Sequence, residues 1–167
     1  MYTRRHRPFS DPLPETNTEA LTMAKIQTNE ENEKTKSYLT FIANGLTYGV
    51  DTMNVVEIIT DYSVRPLPMV PDYIKGIINL RGQIIPIIDF RLRVGGMESP
   101  ESHSTVILQI LSTTIGMMVD SVSQVLDIDL SDASPIPVEN RQELTNGMVS
   151  LEDGTVILLL NYEALIE

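Results

Sequence analysis

The chain has 167 residues, a formal net charge of −11, no cysteine and only two histidines. This length is enough for one domain, or for two small halves that share a core. The lack of cysteine excludes disulfides, thiol chemistry and cysteine-ligated metals, and it fits a reducing cytoplasm. His6 and His103 are too few, and too far apart in sequence, for a histidine-based metal site. We therefore expect neither a metal nor another cofactor.

The negative charge is confined to the C-terminal half. Residues 1–36 and 37–93 are each neutral, whereas residues 94–167 carry twelve acidic side chains and one basic side chain, Arg141. Such a surface disfavours nucleic acid and anionic membranes as partners. In the simplest interpretation, the negative charge only keeps the protein soluble. In a more specific interpretation, it orients docking on other proteins. No apolar run has transmembrane length and the N-terminus lacks the apolar region of a secretory signal, so we expect a cytoplasmic protein without membrane insertion.

The first 36 residues have the composition of a disordered tail. They are rich in Thr, Asn, Glu, Pro and Lys, and their apolar residues are isolated from one another. Such a segment cannot bury enough surface to offset the entropy that it would lose on ordering. We predict disorder for residues 1–36, with a transient helix at residues 19–26. The Arg4–Arg7 cluster is interpreted as a solvated end of the chain.

Short apolar runs separated by turn residues predict strands in both halves of the chain. The predicted strands cover residues 38–42, 46–50, 55–59, 77–80, 84–89, 105–111, 115–120, 122–129, 147–151 and 155–160. Short helical segments are predicted after Asp51 or Thr52 and at residues 91–94, 139–144 and 162–166. Asn44-Gly45 is typical of a two-residue hairpin turn. Pro86 favours an edge strand or a bulge, because proline cannot donate a ladder hydrogen bond.

The two halves of the chain resemble each other in sequence. Gly76–Leu80 corresponds to Gly147–Leu151, and Tyr48–Val50 corresponds to Ile115–Met117. Self-similarity at a nearly constant spacing indicates repeated structural units. Five short strands in each unit are typical of a small barrel or sandwich. We predict an all-β fold with short helices, built of two pseudo-symmetric five-stranded subdomains that share a core, with the C-terminal helix covering an open end.

Some residues of the first copy have no counterpart of the same type in the second. They are Arg81, Pro86 and Arg91, which correspond to Glu152-Asp153, Leu158 and Glu163. Because Arg81 is the only charged residue in the stretch 76–88, we expect a carboxylate partner for it, and Glu57 is the candidate. In the alternative, both side chains are simply solvated on the surface. We interpret the difference between the copies as functional, first of all at Arg81.

The sequence contains no recognisable set of catalytic residues. The two histidines are predicted in a loop and in the tail, which argues against a Ser–His–Asp set. Gly95-Gly96 lacks the lysine and threonine of a phosphate-binding loop. Asp127–Asp132 resembles a calcium loop only superficially, because the central glycine and the terminal glutamate are missing. The lack of such motifs favours a binding module. The alternative is a small acidic-pocket enzyme or a metal-binding protein.

Several separated motifs also occur in a characteristic order along the chain. They are Tyr48–Val50 with Val55–Ile58, Ile74–Gly82, Ile85–Asp89 with Arg91, and Gly116–Asp120 with Val122 and Val125. Together they closely resemble the CheW family of bacterial chemotaxis coupling proteins, over about residues 37–166. The length favours a stand-alone adaptor, because a histidine kinase would carry ATP-binding motifs and a CheV-like protein would carry a receiver domain.

This resemblance implies two five-stranded SH3-like β-barrels, with approximate halves 38–93 and 104–166 that exchange terminal segments. It implies a non-enzymatic adaptor without cofactors, recruited from the cytoplasm to membrane-associated receptor arrays. The adaptor couples the cytoplasmic tip of transmembrane chemoreceptors to the CheW-like regulatory domain of the histidine kinase CheA. The receptor-binding residues that the resemblance implies are Val55, Glu57, Ile58, Arg81 and Val106, with Glu57 and Arg81 as an orienting pair. An adaptor of a chemosensory array with a non-motility output is the alternative.

Overall fold

The computed structural model describes residues 19–26, 34–98, 103–137 and 143–167. The chain divides into two compact units, Met1–Lys34 and Thr35–Glu167. In the first unit, residues 19–26 form a helix, α1, whose side chains are all exposed. Most of the predicted disordered tail lies outside the described residues, and so does most of the helix predicted at residues 139–144. No described helix is long and apolar enough to cross a membrane.

The second unit is built mainly of short strands. They are β1 (Thr35–Ala43), β2 (Leu46–Asp51), β3 (Val55–Ile59), β4 (Ile74–Leu80), β5 (Gln83–Asp89), β6 (Ser104–Ile110), β7 (Thr113–Val119), β8 (Ser121–Asp129), β9 (Thr145–Ser150) and β10 (Val156–Leu160). A one-turn helix, α2, covers Phe90–Arg93, and 3-10 turns cover Thr52–Asn54, Leu130–Asp132 and Tyr162–Leu165. Every strand predicted from the sequence is present, although β1 begins earlier than expected and β6 ends one residue before Leu111.

The strands form two five-stranded sheets with the same internal order. The first sheet runs β8-β1-β2-β10-β9 and the second runs β3-β6-β7-β5-β4. Each sheet contains one parallel pair among antiparallel pairs: β10 with β2 in the first sheet, and β5 with β7 in the second. In the equivalent hairpins, Thr40 lies opposite Gly49 and Ile107 lies opposite Gly116. The all-β, pseudo-symmetric architecture that the internal repeat predicted is confirmed.

The sheets differ from the predicted barrels in that they are open. Among the described residues, β3 and β4 are not paired with each other, and neither are β8 and β9. Instead, isolated bridges cover part of the outer edge of β4 and β9, from Arg65 to Ile77 and from Ser134 to Met148, with N···O distances of 2.8 to 2.9 Å. These bridges satisfy edge hydrogen bonds that a fifth-to-first strand pairing would otherwise satisfy.

The sequence predicts an edge strand or a bulge for the Pro86 segment, and the edge strand is wrong. The β4–β5 pair does have a register shift, between Ile74 and Gly76, but it lies next to Ile87 and not at Pro86. β5 lies inside the second sheet, between β7 and β4. Pro86 lies opposite Ile77 of β4, and the parallel pairing with β7 begins one residue later, at Ile87. The missing N–H is tolerated because Pro86 precedes the part of β5 that is paired on both sides.

The two sheets share one hydrophobic core. It includes Phe41, Tyr48 and Val50 from the first sheet and Val106, Leu108 and Met117 from the second. A smaller cluster lies on the other face of each sheet, around Ile157 in the first and Ile107 in the second. The central strands β6 and β7 are therefore buried on both faces, which explains their nearly continuous apolar sequence. The C-terminal 3-10 turn places Ala164 and Leu165 in the shared core.

Candidate functional site

Arg81 and Glu57 form a bidentate ion pair at one end of the second sheet. Arg81 Nη1 donates to Glu57 Oε1 at 2.5 Å, and Nη2 donates to Oε2 at 2.8 Å. The Arg81 side chain is 72% exposed, whereas that of Glu57 is 25% exposed. The hydrogen bonds from Arg81 lower the pKa of Glu57, so the carboxylate stays ionised below the usual range. The structure thus brings together the two side chains that the sequence analysis paired.

The backbone of Arg81 adopts a conformation that arginine rarely takes. Arg81 has φ of 52° and Gly82 has φ of 86°, as required at the two central positions of a type I′ hairpin turn. The Asn79 side chain accepts a hydrogen bond from the Gly82 N–H at 2.8 Å and supports the turn. A left-handed conformation costs a non-glycine residue about 1 kcal/mol. Asparagine or glycine would avoid most of this cost, so the backbone strain at Arg81 points to a functional use of its side chain.

A β-bulge in β3 divides the predicted site residues between two faces. Val55 lies opposite Leu108 and Ile58 lies opposite Val106, while Glu57 lies opposite Ile107, after a register shift between Val55 and Glu57. Cross-strand partners point to the same face of a sheet. Val55 and Ile58 therefore face the shared core side, and Glu57 faces the other side, together with Arg81.

These residues also differ in their access to solvent. Ile58 is 43% exposed, whereas Val106 is fully buried in the shared core. Val55 is partly buried and packs against that core. Ile58 is therefore available for direct contact, whereas Val106, its cross-strand neighbour, is not. A cavity of about 230 Å³ lies on the other face, and it is lined by Glu57 and Arg81 together with residues such as Leu80 and Thr114.

The equivalent edge strand of the first sheet, β8, also carries exposed apolar side chains. Val125 of β8 is 57% exposed, and Val122 is partly buried against the shared core. β3 and β8 occupy the same position in their sheets, at the edge next to β6 and β1 respectively. Val55 and Val122 both pack against the shared core, so the edge strands β3 and β8 border this core from opposite sheets. Apolar side chains on two such edges are suited to receive the apolar face of a helix.

Arg91 has a structural environment that the sequence analysis missed. Its guanidinium is 1% exposed and donates to both Asp89 carboxylate oxygens, at 2.9 and 2.8 Å, and to Asp120 Oδ1 at 3.1 Å. Asn44 joins this network, since its side chain donates to the Arg91 carbonyl at 3.0 Å and its N–H donates to Asp120 Oδ2 at 2.8 Å. The Asp89 hydrogen bonds raise the pKa of Arg91, against the opposing effect of burial. The difference between the copies at Arg91, which the sequence analysis interpreted as functional, thus has a structural role: the network fastens the β1–β2 turn to α2.

The pseudo-equivalent place in the second copy is apolar and exposed. From the alignment of the two hairpins, Asn44 corresponds to Leu111 and Asp120 corresponds to Met53. Leu111 is 78% exposed at a φ of 53°, and Met53 is 88% exposed. We call this pair the Met53–Leu111 surface. Asn54 Nδ2 donates to the Gln109 carbonyl at 3.0 Å, which places Met53 near the β6–β7 turn that holds Leu111. Gln83, two residues after Arg81, donates from Nε2 to Thr114 Oγ1 at 3.1 Å at the start of β7, so Met53 and Leu111 lie at the same end of the second sheet as Arg81. Sequence reasoning missed it because Leu111 continued an apolar strand pattern.

Among the described residues, no group of three or more His, Asp or Glu side chains is arranged to hold a metal ion. The Asp127–Asp132 segment, which resembles a calcium loop in sequence, instead ends β8 and forms a 3-10 turn. The Asp129 carboxylate accepts a hydrogen bond from the Ser131 N–H at 2.9 Å and caps this turn. The described residues of the second unit thus present an exposed ion pair and apolar strand edges, which are features of a protein-binding surface.

Comparison with known proteins agrees with this geometry. A family model described as a CheW-like domain matches residues 37–167. The chain is 32% identical to the chemotaxis protein CheW of Rhizobium meliloti over 69% of this chain and 77% of that protein. It is 33% identical to the chemotaxis protein CheW of Klebsiella aerogenes over 74% of this chain and 78% of that protein.

A solved structure extends the comparison to three dimensions. The crystal structure of the scaffolding protein TtCheW from Thermoanaerobacter tengcongensis has a TM-score of 0.69 and 32% sequence identity to this chain. The match covers 75% of this chain and 88% of the other. The family model, the curated relatives and the solved structure all point to the same assignment, which agrees with the resemblance of the sequence motifs. The chain belongs to the family of proteins that contain a CheW-like domain.

Proposed function

We propose that this protein is a non-catalytic scaffold of chemotaxis signalling. It binds the cytoplasmic tip of chemoreceptors and the CheW-like regulatory domain of the histidine kinase CheA, and it places the kinase under receptor control. Relatives named chemotaxis protein CheW and a structural neighbour described as a scaffolding protein support this proposal. The observation that carries it is the Arg81–Glu57 ion pair, held at a strained turn beside exposed apolar strand edges.

Receptor binding is assigned to the two apolar edges. The family resemblance implies a receptor tip that is a helical hairpin, and a helix can bury its apolar face against Ile58 and Val125. Burial of one such aliphatic side chain contributes about 1.5–3 kcal/mol before the costs of association are subtracted. The Arg81–Glu57 pair lies at the same strand, β3, on its other face. Its exposed guanidinium adds specificity and orientation more than affinity.

Kinase binding is assigned to the Met53–Leu111 surface. Two highly exposed apolar side chains sit there where the equivalent end of the first sheet has a closed polar network. Exposed apolar groups with this placement mark protein contact sites, and methionine adapts its shape to a partner. The surface lies at the Arg81 end of the second sheet, so the second sheet carries both the receptor contact and the kinase contact. A receptor state that shifts the β3 edge would then change the affinity for the kinase, as coupling between two sites requires.

Direct binding measurements with both partners test the proposal. The full chain is titrated with a receptor cytoplasmic fragment and, separately, with the kinase regulatory domain. We expect Ile58→Glu to abolish receptor binding and to leave kinase-domain binding unchanged, and Leu111→Glu to have the opposite pattern. Val156→Glu, at an exposed valine of β10, is the matched control and should change neither affinity. Absence of binding to both partners by the unmodified protein would disprove the scaffold function.

A further inference from the structure

Methionine supplies all the sulfur in this chain. The sequence contains eight methionines and no cysteine, so thioethers are its most readily oxidised side chains. The described methionines differ widely in exposure. Met53 and Met69 are fully or almost fully exposed, at 88% and 104%, whereas Met117 is buried in the shared core and Met118 in the cluster around Ile107. An oxidant in solution will therefore reach a defined subset of these sulfur atoms.

Met53 combines exposure with a fixed position. Its N–H donates to Asp51 Oδ1 at 2.9 Å, which caps the 3-10 turn Thr52–Asn54. On the other side, Asn54 Nδ2 donates to the Gln109 carbonyl at 3.0 Å and ties the turn to β6. The backbone around Met53 is thus anchored at both ends, and its side chain stays in solvent beside the β6–β7 turn. A thioether presented in this way is accessible in every molecule, not only in those that have opened locally.

We propose that Met53 is a site of reversible sulfoxidation that switches docking at the Met53–Leu111 surface. The co-reactant is a peroxide. The thioether sulfur attacks one peroxide oxygen, the O–O bond breaks, an S–O bond forms, and the second oxygen leaves as water after taking up the protons. The sulfur is oxidised by two electrons and the peroxide is reduced by two. The docking consequence rests on the proposed function, whereas the chemical modification does not.

The sulfoxide changes the surface without changing the fold. It converts an apolar, flexible side chain into a polar one, which disfavours burial against an apolar partner. Met53 belongs to none of the hydrophobic clusters of the described residues, so the modification leaves the core packing intact. Loss of the burial of one such side chain should weaken docking by at least about tenfold.

Met69 provides a control within the same chain. It is as exposed as Met53 and lies at a φ of 58° in the connection between β3 and β4. The strand register places it at the opposite end of the second sheet. Met69 precedes Ile74 by five residues, and Ile74 lies opposite Ile88, which pairs with Met117. Met53 precedes Val55 by two residues, and Val55 lies opposite Leu108, near the β6–β7 turn. Oxidation of Met69 should therefore proceed as readily as that of Met53 and leave docking unchanged.

The first experiment follows the chemistry alone. The full chain is treated with hydrogen peroxide, and the added oxygen is located by peptide mass spectrometry over time. We expect Met53 and Met69 to be oxidised well before Met117 and Met118, and methionine sulfoxide reductases to reverse the change at Met53. Oxidation of Met53 no faster than that of Met117, or a product at Met53 that the reductases do not reduce, would overturn the proposal.

The second experiment measures binding of the kinase regulatory domain to four proteins: the unmodified chain, Met53→Leu, Met53→Gln and Met69→Gln. Met53→Gln places a polar group of similar size and should weaken binding, whereas Met53→Leu and Met69→Gln should not. Peroxide should weaken binding by the unmodified chain and by Met69→Gln, but not by Met53→Leu. Equal sensitivity of Met53→Leu to peroxide would overturn the switch. If the unmodified chain does not bind the domain at all, the proposed function and the switch fall together, and the mass spectra still decide whether Met53 is an oxidation site.

Discussion

In the second sheet, Glu57 of β3 and Arg81 of the β4–β5 turn form a bidentate ion pair, whereas the equivalent positions of the first sheet hold Gln124 and Asp153. At another end of the fold, the first sheet holds the polar network at its β1–β2 turn, and the second sheet has exposed apolar residues at the equivalent β6–β7 turn. Asn44 and Asp120 close a buried network at one end of the fold, and their equivalents Leu111 and Met53 are exposed. The repeated backbone is thus nearly constant, and the chemistry at its ends is what distinguishes the copies. We infer that the network around Arg91 maintains the fold, whereas the Arg81–Glu57 pair and the Met53–Leu111 surface are free to bind.

The largest expected effect comes from breaking the buried network. Arg91→Ala leaves the Asp89 carboxylate, which is fully buried, without its cation, and loss of one partner of a buried pair costs about 3–5 kcal/mol. Urea unfolding followed by circular dichroism should show this loss. Glu163→Ala, at the equivalent exposed position, should change the free energy of unfolding by no more than about 0.5 kcal/mol. Equal effects of the two substitutions would contradict the structural role given to Arg91.

A second comparison concerns two equivalent glycines that begin the copies of the repeated hairpin. A Cβ at Gly76 would overlap the Arg65 carbonyl, and the residue has φ of 140°, whereas at Gly147 the nearest atom would be the Ser134 carbonyl oxygen at 3.5 Å. Gly76→Ala should therefore cost about 3 kcal/mol, from backbone strain and overpacking together. Gly147→Ala should be tolerated within about 1 kcal/mol. Thermal unfolding of both variants would measure the difference, and a well-tolerated Gly76→Ala would show that the Arg65–Ile77 bridge is dispensable.

The third comparison separates function from stability at the two turns. Arg81→Glu should leave the unfolding midpoint nearly unchanged, because the pair is solvent-exposed, and should abolish receptor-dependent activation of the kinase. Asp153→Arg, in the equivalent turn of the first sheet, should leave activation intact. A charge reversal that combines Arg81→Glu with Glu57→Arg should restore part of the activity if the pair acts by orienting the surface. Normal coupling by Arg81→Glu alone would remove Arg81 from the binding site.

The smallest effect is a shift in one titration. Arg81 lowers the pKa of Glu57, and the N–H of Thr155 lowers the pKa of Asp153 in the other copy. Since both pKa values are depressed in the folded state, the stabilisation is present above the ordinary carboxyl range and is lost as the pH falls through the folded-state value. In Arg81→Gln, an NMR titration should show the pKa of Glu57 rising towards its usual value, while that of Asp153 stays low. An unchanged Glu57 titration would mean that the ion pair is absent in solution.

Local patterns were sufficient to predict much of this protein. Apolar runs bounded by glycine, proline and asparagine located every strand, since strand formation depends on local propensity and turn chemistry. The internal repeat predicted two similar sheets. The isolated charge at Arg81 and the carboxylate in the apolar strand around Glu57 were enough to pair two residues 24 positions apart. The receptor-binding assignment of these residues remains a prediction.

Other features could not be predicted from residues that are close together in the sequence. The burial of Arg91 could not be predicted because its second carboxylate, Asp120, is 29 residues away and because burial depends on the opposite sheet. Val106 was assigned to the binding surface, yet the shared core encloses it completely. Leu111 continued an apolar run, but the chain turns there and leaves its side chain in solvent. Each of these outcomes depends on which strands lie next to one another, and not on the composition of any one strand.

The amino-acid sequence by itself therefore determined the strands, their duplication and the family, because these follow from short-range patterns of apolar, turn and motif residues. The tertiary structure decided which of the repeated positions are buried and which are exposed. It did so through long-range contacts: β8, β9 and β10 join β1 and β2, the bulge in β3 assigns Ile58 and Glu57 to opposite faces, and the β1–β2 turn closes over Arg91. Exposure at Met53, Ile58 and Arg81 is thus a property of the packed sheets, and it is on these residues that the proposed functions depend.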